Sequence, residues 1–154
     1  MEMQKLSSAA GERETSRIEA FSDGVFAIAV TLLVLDIRVP SREEAEGAGL
    51  LASLLTRWPN FLAFLASFFF ILVMWINHHR MFRLIRRSDH WLLLVNGLLL
   101  LGVSLVPFTT ALVAEYLGHT DQTAATLVYN GWFLVVALFF NLLWRYASDN
   151  NRLF

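Results

Sequence analysis

Four apolar stretches, at about residues 21–39, 58–77, 91–110 and 123–144, constrain this chain more than any other feature. Each is close to the ~20 residues that a helix needs to cross a hydrocarbon core about 30 Å thick. In lipid every backbone N–H and C=O must be satisfied inside the segment or by neighbouring protein, so such stretches fold as helices. Composition agrees: AVILMFWYC residues make up 56% of the 154 and charged residues 16%, against about 25% charged in soluble proteins. Mean hydropathy is +0.54. The expected fold is an all-α membrane protein with about four transmembrane helices, forming a single transmembrane domain over residues 1–154.

Several function classes drop out. The net charge of -1 creates no field that attracts nucleic acid, and the basic residues sit at the ends of apolar runs rather than on one surface. No cysteine is present, which removes disulfides, thiolate metal sites and cysteine nucleophiles. The first apolar stretch is not expected to be a cleaved signal peptide: the segment before it is acidic as well as basic, and no small-residue cleavage site follows. SREEAEGAG reads as a polar loop after Pro40, and Pro59 falls near the start of span two, where a helix tolerates it.

Short loops rich in Arg and Lys stay cytoplasmic. Lys5, Arg13, Arg17, Arg80, Arg83, Arg86, Arg87, Arg145 and Arg152 fall on one side of the four spans, and Arg38, Arg42 and Arg57 on the other. Nine against three puts both termini in the cytoplasm. Trp58, Trp91, Trp144 and Tyr146 mark span ends, where amphipathic rings anchor at the headgroup level.

Spans two to four are nearly continuous Leu, Phe, Val, Ala and Ile, whereas span one holds Ser22, Asp23, Gly24, Thr31, Asp36 and Arg38. A carboxylate at a helix centre costs at least ~2.5 kcal/mol in lipid, so such a helix seeks protein or water. Span one is therefore expected innermost. At 100° per residue Gly24, Ile28, Thr31 and Leu35 share a narrow face, which fits either packing core or a pore lining narrowed by Ile28 and Leu35. Asp23, Ala27, Val30 and Val34 form a second face about 110° away, suited to neighbouring helices. Ser22 or Asp23 before an apolar run also resembles a helix N-cap.

A second polar cluster, Trp75, Asn77, His78, His79 and Arg80, ends span two at the same depth as Ser22 and Asp23. A carboxylate, an imidazole, an amide and an indole N–H can satisfy one another as a buried network. No metal site is expected, because adjacent His78 and His79 point about 100° apart and cannot face one ion together. HExxH, GxSxG and a second intramembrane acid paired with Asp23 are all missing, which argues against an enzyme. His90 and His119 read as boundary or loop residues.

Arg17-Ile18-Glu19-Ala20-Phe21-Ser22-Asp23 matches RxxxFSD, and the chain thereby resembles the transmembrane protein 175 family, lysosomal potassium channels with prokaryotic relatives. GVFAIAVTLLVLDI continues the resemblance through helix one, and TRWPNFLAFLASFFFILVMWINHHRMF resembles helix two. The resemblance implies a potassium-permeable cation channel in a prokaryotic cell membrane, a homotetramer with the first helices around the pore. It implies an apolar constriction at Ile28, selectivity at Thr31 and an outer apolar ring at Leu35, with Gly24 on the same lining. It also implies a structural network for Ser22 and Asp23, to which their own motif adds Arg17 and the shared depth adds Trp75, Asn77 and His78, with no cofactor and potassium as the permeant species. Family repeats have six transmembrane helices where this chain has room for four, and no TVGYG filter occurs. The alternative is a non-conducting membrane scaffold or regulatory subunit; a membrane enzyme comes third.

Overall fold

The computed structural model describes residues 2–148 as helices joined by short turns. In order these are α1 (Glu2–Leu32), a 3-10 turn (Leu33–Asp36), α2 (Arg42–Ala48), α3 (Leu50–Leu55), α4 (Trp58–Phe82), α5 (His90–Ser104), α6 (Val106–Tyr116) and α7 (Gln122–Ser148). Four segments are long and apolar enough to span a membrane: Arg13–Asp36, Trp58–Phe82, His90–Tyr116 and Gln122–Ser148. Buried side chains from all four spans form one contiguous cluster.

Helix one starts well before residue 21, so Ser22 and Asp23 lie inside a helix and the N-cap reading is wrong. At its far end the α-helix gives way to the 3-10 turn. That turn advances about 120° per residue instead of 100°, which moves Leu35 roughly 60° off the stripe drawn from α-helical spacing.

The SREEAEGAG segment expected as a loop after Pro40 folds into α2, and α3 follows directly after it. Ser41 and Glu44 form a reciprocal capping box: the Glu44 N–H donates to Ser41 Oγ at 3.2 Å and the Ser41 N–H to Glu44 Oε2 at 2.9 Å. Arg57 donates to the same Oε2 at 2.8 Å and to the Arg38 carbonyl at 3.2 Å. The Ser41 N–H, and then Arg57, hold the Glu44 carboxyl below the usual carboxylate range. Gly49, at φ 85°, supplies the left-handed turn between α2 and α3.

The third span is two helices. Pro107 cannot donate to the Val103 carbonyl, and the chain breaks around Leu105. The indole of Trp132 on α7 donates to the Gly102 carbonyl at 2.9 Å, satisfying a group loosened by the break. Asp89 caps α5 by accepting from the Leu92 N–H at 2.8 Å and also accepts from Tyr146 Oη at 2.5 Å. Tyr146 is therefore a tether between α7 and the start of α5 as well as a ring at a span end.

Helices α5 and α7 meet at Gly102, where an added Cβ would lie 3.1 Å from Val136 Cγ2 and 3.4 Å from Phe139 Cδ2. Small residues let membrane helices approach this closely. Gly102→Leu is expected to lower unfolding stability by about 1–3 kcal/mol through overpacking. Gly131→Leu, with open space at the same test position, is expected to stay within about 0.5 kcal/mol. Thermal or denaturant unfolding of the detergent-purified chain compares them, and equal stability of the two would refute the close contact.

Candidate functional site

Helix one packs on α4 and α5 through Ile18, Ser22, Phe26, Ala29 and Leu33, all buried. This stripe, with spacings of four, four, three and four, is the face that binds neighbouring helices within the chain. The expected face of Asp23, Ala27, Val30 and Val34 is not. Ala27 and Val34 are exposed, while Asp23 and Val30 are half-buried beside a groove of about 330 Å³ shared with Phe26, Leu72 and Trp75. The buried stripe wins because it brings the polar Ser22 against α5 while the rest of the contact stays apolar.

Ser22 is fully buried, as is His78. His78 Nε2 is 2.9 Å from Asn96 Oδ1, Asn96 Nδ2 donates to Ser22 Oγ at 3.0 Å, and Ser22 Oγ donates to the Ile18 carbonyl at 2.9 Å. Because Asn96 Oδ1 can only accept, His78 carries its proton on Nε2, and the chain of donors runs in one direction from α4 through α5 to α1. Phe26 and Phe82 enclose the His78 ring, at centroid distances of 5.3 and 4.4 Å. A second link is independent of the first: Trp75 Nε1 donates to Asp23 Oδ1 at 2.8 Å.

The structure thus brings Ser22, Asp23, Trp75 and His78 into two hydrogen-bonded links between helices. It leaves out Asn77, which is exposed on the other side of α4, and Arg17, exposed at the rim of a groove of about 420 Å³ that α1 and α5 form with Glu14, Phe21, Asn96 and Gly97. Among the described residues neither Asn77 nor Arg17 makes a side-chain hydrogen bond, since one residue step turns Asn77 about 100° from His78. Asn96 is the member that sequence reasoning missed; a lone amide within an apolar span was its signal. Glu19, left outside span one by the sequence reading, lies within it one turn before Asp23.

On the opposite side of α1, roughly 150° from the buried stripe, Phe21, Gly24, Ile28 and Thr31 are exposed, Ile28 at 61%. Leu35 is exposed at 70% in the 3-10 turn. Thr31 Oγ1 donates to the Ile28 carbonyl at 2.9 Å, which leaves the lone pairs of its oxygen outward.

Four helices long and apolar enough to span a membrane, packed around one shared apolar cluster, define an all-helical integral membrane protein. The chain belongs to the TMEM175 family: the family model described as endosomal/lysosomal potassium channel TMEM175 matches residues 17–107. It is 58% identical over 142 residues to a potassium channel of Chamaesiphon minutus, covering 92% of this chain and 70% of that one. A potassium channel of Streptomyces collinus is 44% identical over 143 residues, covering 92% and 68% respectively. The crystal structure of a lysosomal potassium-selective channel TMEM175 homolog from Chamaesiphon minutus matches with TM-score 0.87 at 57% identity, covering 91% of this chain and 74% of that chain.

Replacing Asn96 by Leu removes the acceptor of His78 and the donor to Ser22 together. Each buried group left unsatisfied costs about 1–3 kcal/mol. Asn96→Leu is expected to lower stability by that order, and Asn77→Leu to change it by less than about 0.5 kcal/mol. Unfolding midpoints in detergent separate the two; comparable losses would place Asn77 in the network after all.

Proposed function

We propose that the chain is the subunit of a homotetrameric potassium channel in a prokaryotic cell membrane, with four copies of α1 around the pore. The observation that carries this reading is the stripe of Phe21, Gly24, Ile28 and Thr31, uncovered by the chain's own helices and opposite the face that packs on them. The names of the bacterial relatives as potassium channels support it. In this reading no cofactor takes part and potassium ions are the permeant species.

Ile28, repeated around the axis, forms the narrowest ring. An isoleucine ring has no oxygen to replace a hydration shell, so ions pass only when the ring is wide or wet enough for them to keep some water. Thr31, one turn further out, supplies the nearby side-chain oxygen; its donor is engaged by the Ile28 carbonyl, and the lone pairs are what a cation needs. Gly24 adds no side chain on the inner side, and Leu35 lines the outer mouth. Selectivity then comes from size and partial dehydration, with no carbonyl filter.

Ile28→Asn is expected to raise potassium flux in liposomes roughly tenfold, equivalent to lowering the barrier by about 1.4 kcal/mol, and to weaken discrimination against sodium. Thr31→Ala shifts selectivity with less effect on flux, and Leu138→Asn, on the exposed side of α7, leaves both unchanged. Equal flux and equal ion preference in wild type and Ile28→Asn would remove Ile28 from the permeation path.

The nine-to-three distribution of basic residues supports cytoplasmic termini, with Ser41–Gly49 and Glu115–Asp121 outside. The chain has no native thiol, so single introduced cysteines report without background. At the exposed positions Ser41 and Thr120 they are expected to react with an impermeant reagent from outside the cell, and at exposed Arg86 only after lysis. The reverse pattern would invert the topology.

A further inference from the structure

The link between α4 and α5, residues 83–89, carries Arg83, Arg86 and Arg87, and Arg80 stands one turn earlier at the end of α4. All four are exposed, and among the described residues none makes a side-chain hydrogen bond or an ion pair. The acids closest to them in the fold are engaged elsewhere: both carboxylate oxygens of Asp89 accept, from the Leu92 N–H and from Tyr146 Oη, and Glu19 pairs with His79 at 2.8 Å. Positive charge at a helix C-terminus complements the helix dipole, which accounts for Arg80 and Arg83. That effect is confined to the last turn, so Arg86 and Arg87 have no such role.

The backbone that carries them is held. The Leu84 and Ile85 N–H groups donate to the Met81 and Phe82 carbonyls at 3.0 and 3.2 Å, Ile85 is buried, and Asp89 caps α5. On the side of α1 the Arg86 carbonyl lies so near Gly11 that an added Cβ there would sit 3.4 Å from it. A held backbone loses less freedom when its side chains bind a partner. One span ends at Phe82 and the next starts at His90, which puts the link at headgroup level, with exposed Leu84 and Trp91 as apolar surface on either side of the arginines. We propose that this link is a docking surface for anionic phospholipids, with Arg86 and Arg87 on the headgroup phosphate and Leu84 and Trp91 against the acyl chains. Guanidinium forks match phosphate oxygens two at a time, and four basic residues beside a span suit an anionic lipid. A choline headgroup offers the same phosphate but brings a further cation into a cluster that has no acid to receive it.

Which leaflet supplies the lipid rests on the cytoplasmic assignment of the link; the binding itself does not. The full-length chain is reconstituted in phosphatidylcholine vesicles, whose two leaflets are alike, with a trace of spin-labelled phosphatidylglycerol or spin-labelled phosphatidylcholine. The motionally restricted part of the electron spin resonance spectrum gives the association constant of each lipid at the protein surface. Wild type is expected to prefer phosphatidylglycerol about fivefold, the effect of roughly one basic residue beside the headgroup. Arg86→Gln with Arg87→Gln removes the preference, Arg86→Lys with Arg87→Lys keeps most of it, and Arg13→Gln and Arg42→Gln, at other exposed arginines, leave it unchanged. Unfolding midpoints in detergent equal to wild type verify that the variants are folded, as expected for exposed side chains without partners. No preference in wild type, its survival in the double Gln variant or its loss in the double Lys variant overturns the surface. So does an equal loss in Arg13→Gln or Arg42→Gln, which would assign the preference to the charge of the whole protein. Inverted cysteine labelling at Ser41 and Thr120 would move the surface to the outer leaflet and leave its lipid preference in place.

Discussion

The one-way chain of donors from His78 through Asn96 and Ser22 to the Ile18 carbonyl decides which side of α1 faces the bundle. A helix rotation of a single residue, 100°, would carry Ser22 away from Asn96 and leave buried polar groups of three helices unsatisfied, at about 1–3 kcal/mol each. Apolar packing alone does not discriminate so sharply, because lipid tails are as apolar as the leucines they would replace. Once Ser22 is turned inward, Gly24, Ile28 and Thr31 are necessarily turned out. The same interaction that holds the four spans together therefore selects the face that α1 leaves uncovered.

The four spans were legible in the sequence because a membrane demands length and apolarity, and both can be counted. Their ends were less so: hydropathy falls off before the helix does, and α1 continues through the polar residues ahead of Phe21. Ser22, Asp23, Trp75 and His78 stood out because polar groups at membrane depth are costly. Asn96 carried the same signal but was lost in a span summarised as continuous Leu and Val. Asn77 was wrongly included because depth is read from position along the chain, whereas facing is read from spacing. The buried residues Ala63, Ser67, Ile71 and His78 of α4 recur at four, four and seven, a helical face that includes His78 and leaves Asn77 out.

Elsewhere the sequence carried local chemistry that hydropathy obscured. Ser41 and Glu44 have the S-x-x-E spacing of a capping box, and α2 starts there, although the segment's polarity suggests a loop. Pro107 in the third span marks the break that splits it. What no sequence pattern supplies is the remedy for that break, an indole on α7 reaching the Gly102 carbonyl from 30 residues away. Leu35 illustrates the same limit at short range: its place on the α1 stripe depends on whether the last turn winds as α or 3-10.

Helix one is held differently along its length. At one end hydrogen bonds fix it through Ser22 to Asn96 and Asp23 to Trp75. At the other, Asn60 Nδ2 donates to the Asp36 carbonyl at 3.2 Å and Arg57 to the Arg38 carbonyl. Between them the contact with α4, α5 and α6 runs through Phe26, Ala29 and Leu33, apolar side chains held by dispersion alone. Individual dispersion contacts are worth only ~0.1–0.2 kcal/mol and change little over small displacements, whereas a hydrogen bond weakens steeply off its axis. A helix pinned by polar contacts at both ends and by dispersion in the middle flexes most easily in the middle, and Ile28 and Thr31 lie in that stretch. In the proposed tetramer, a ring of Ile28 in that stretch changes diameter without breaking the bonds that orient the helix.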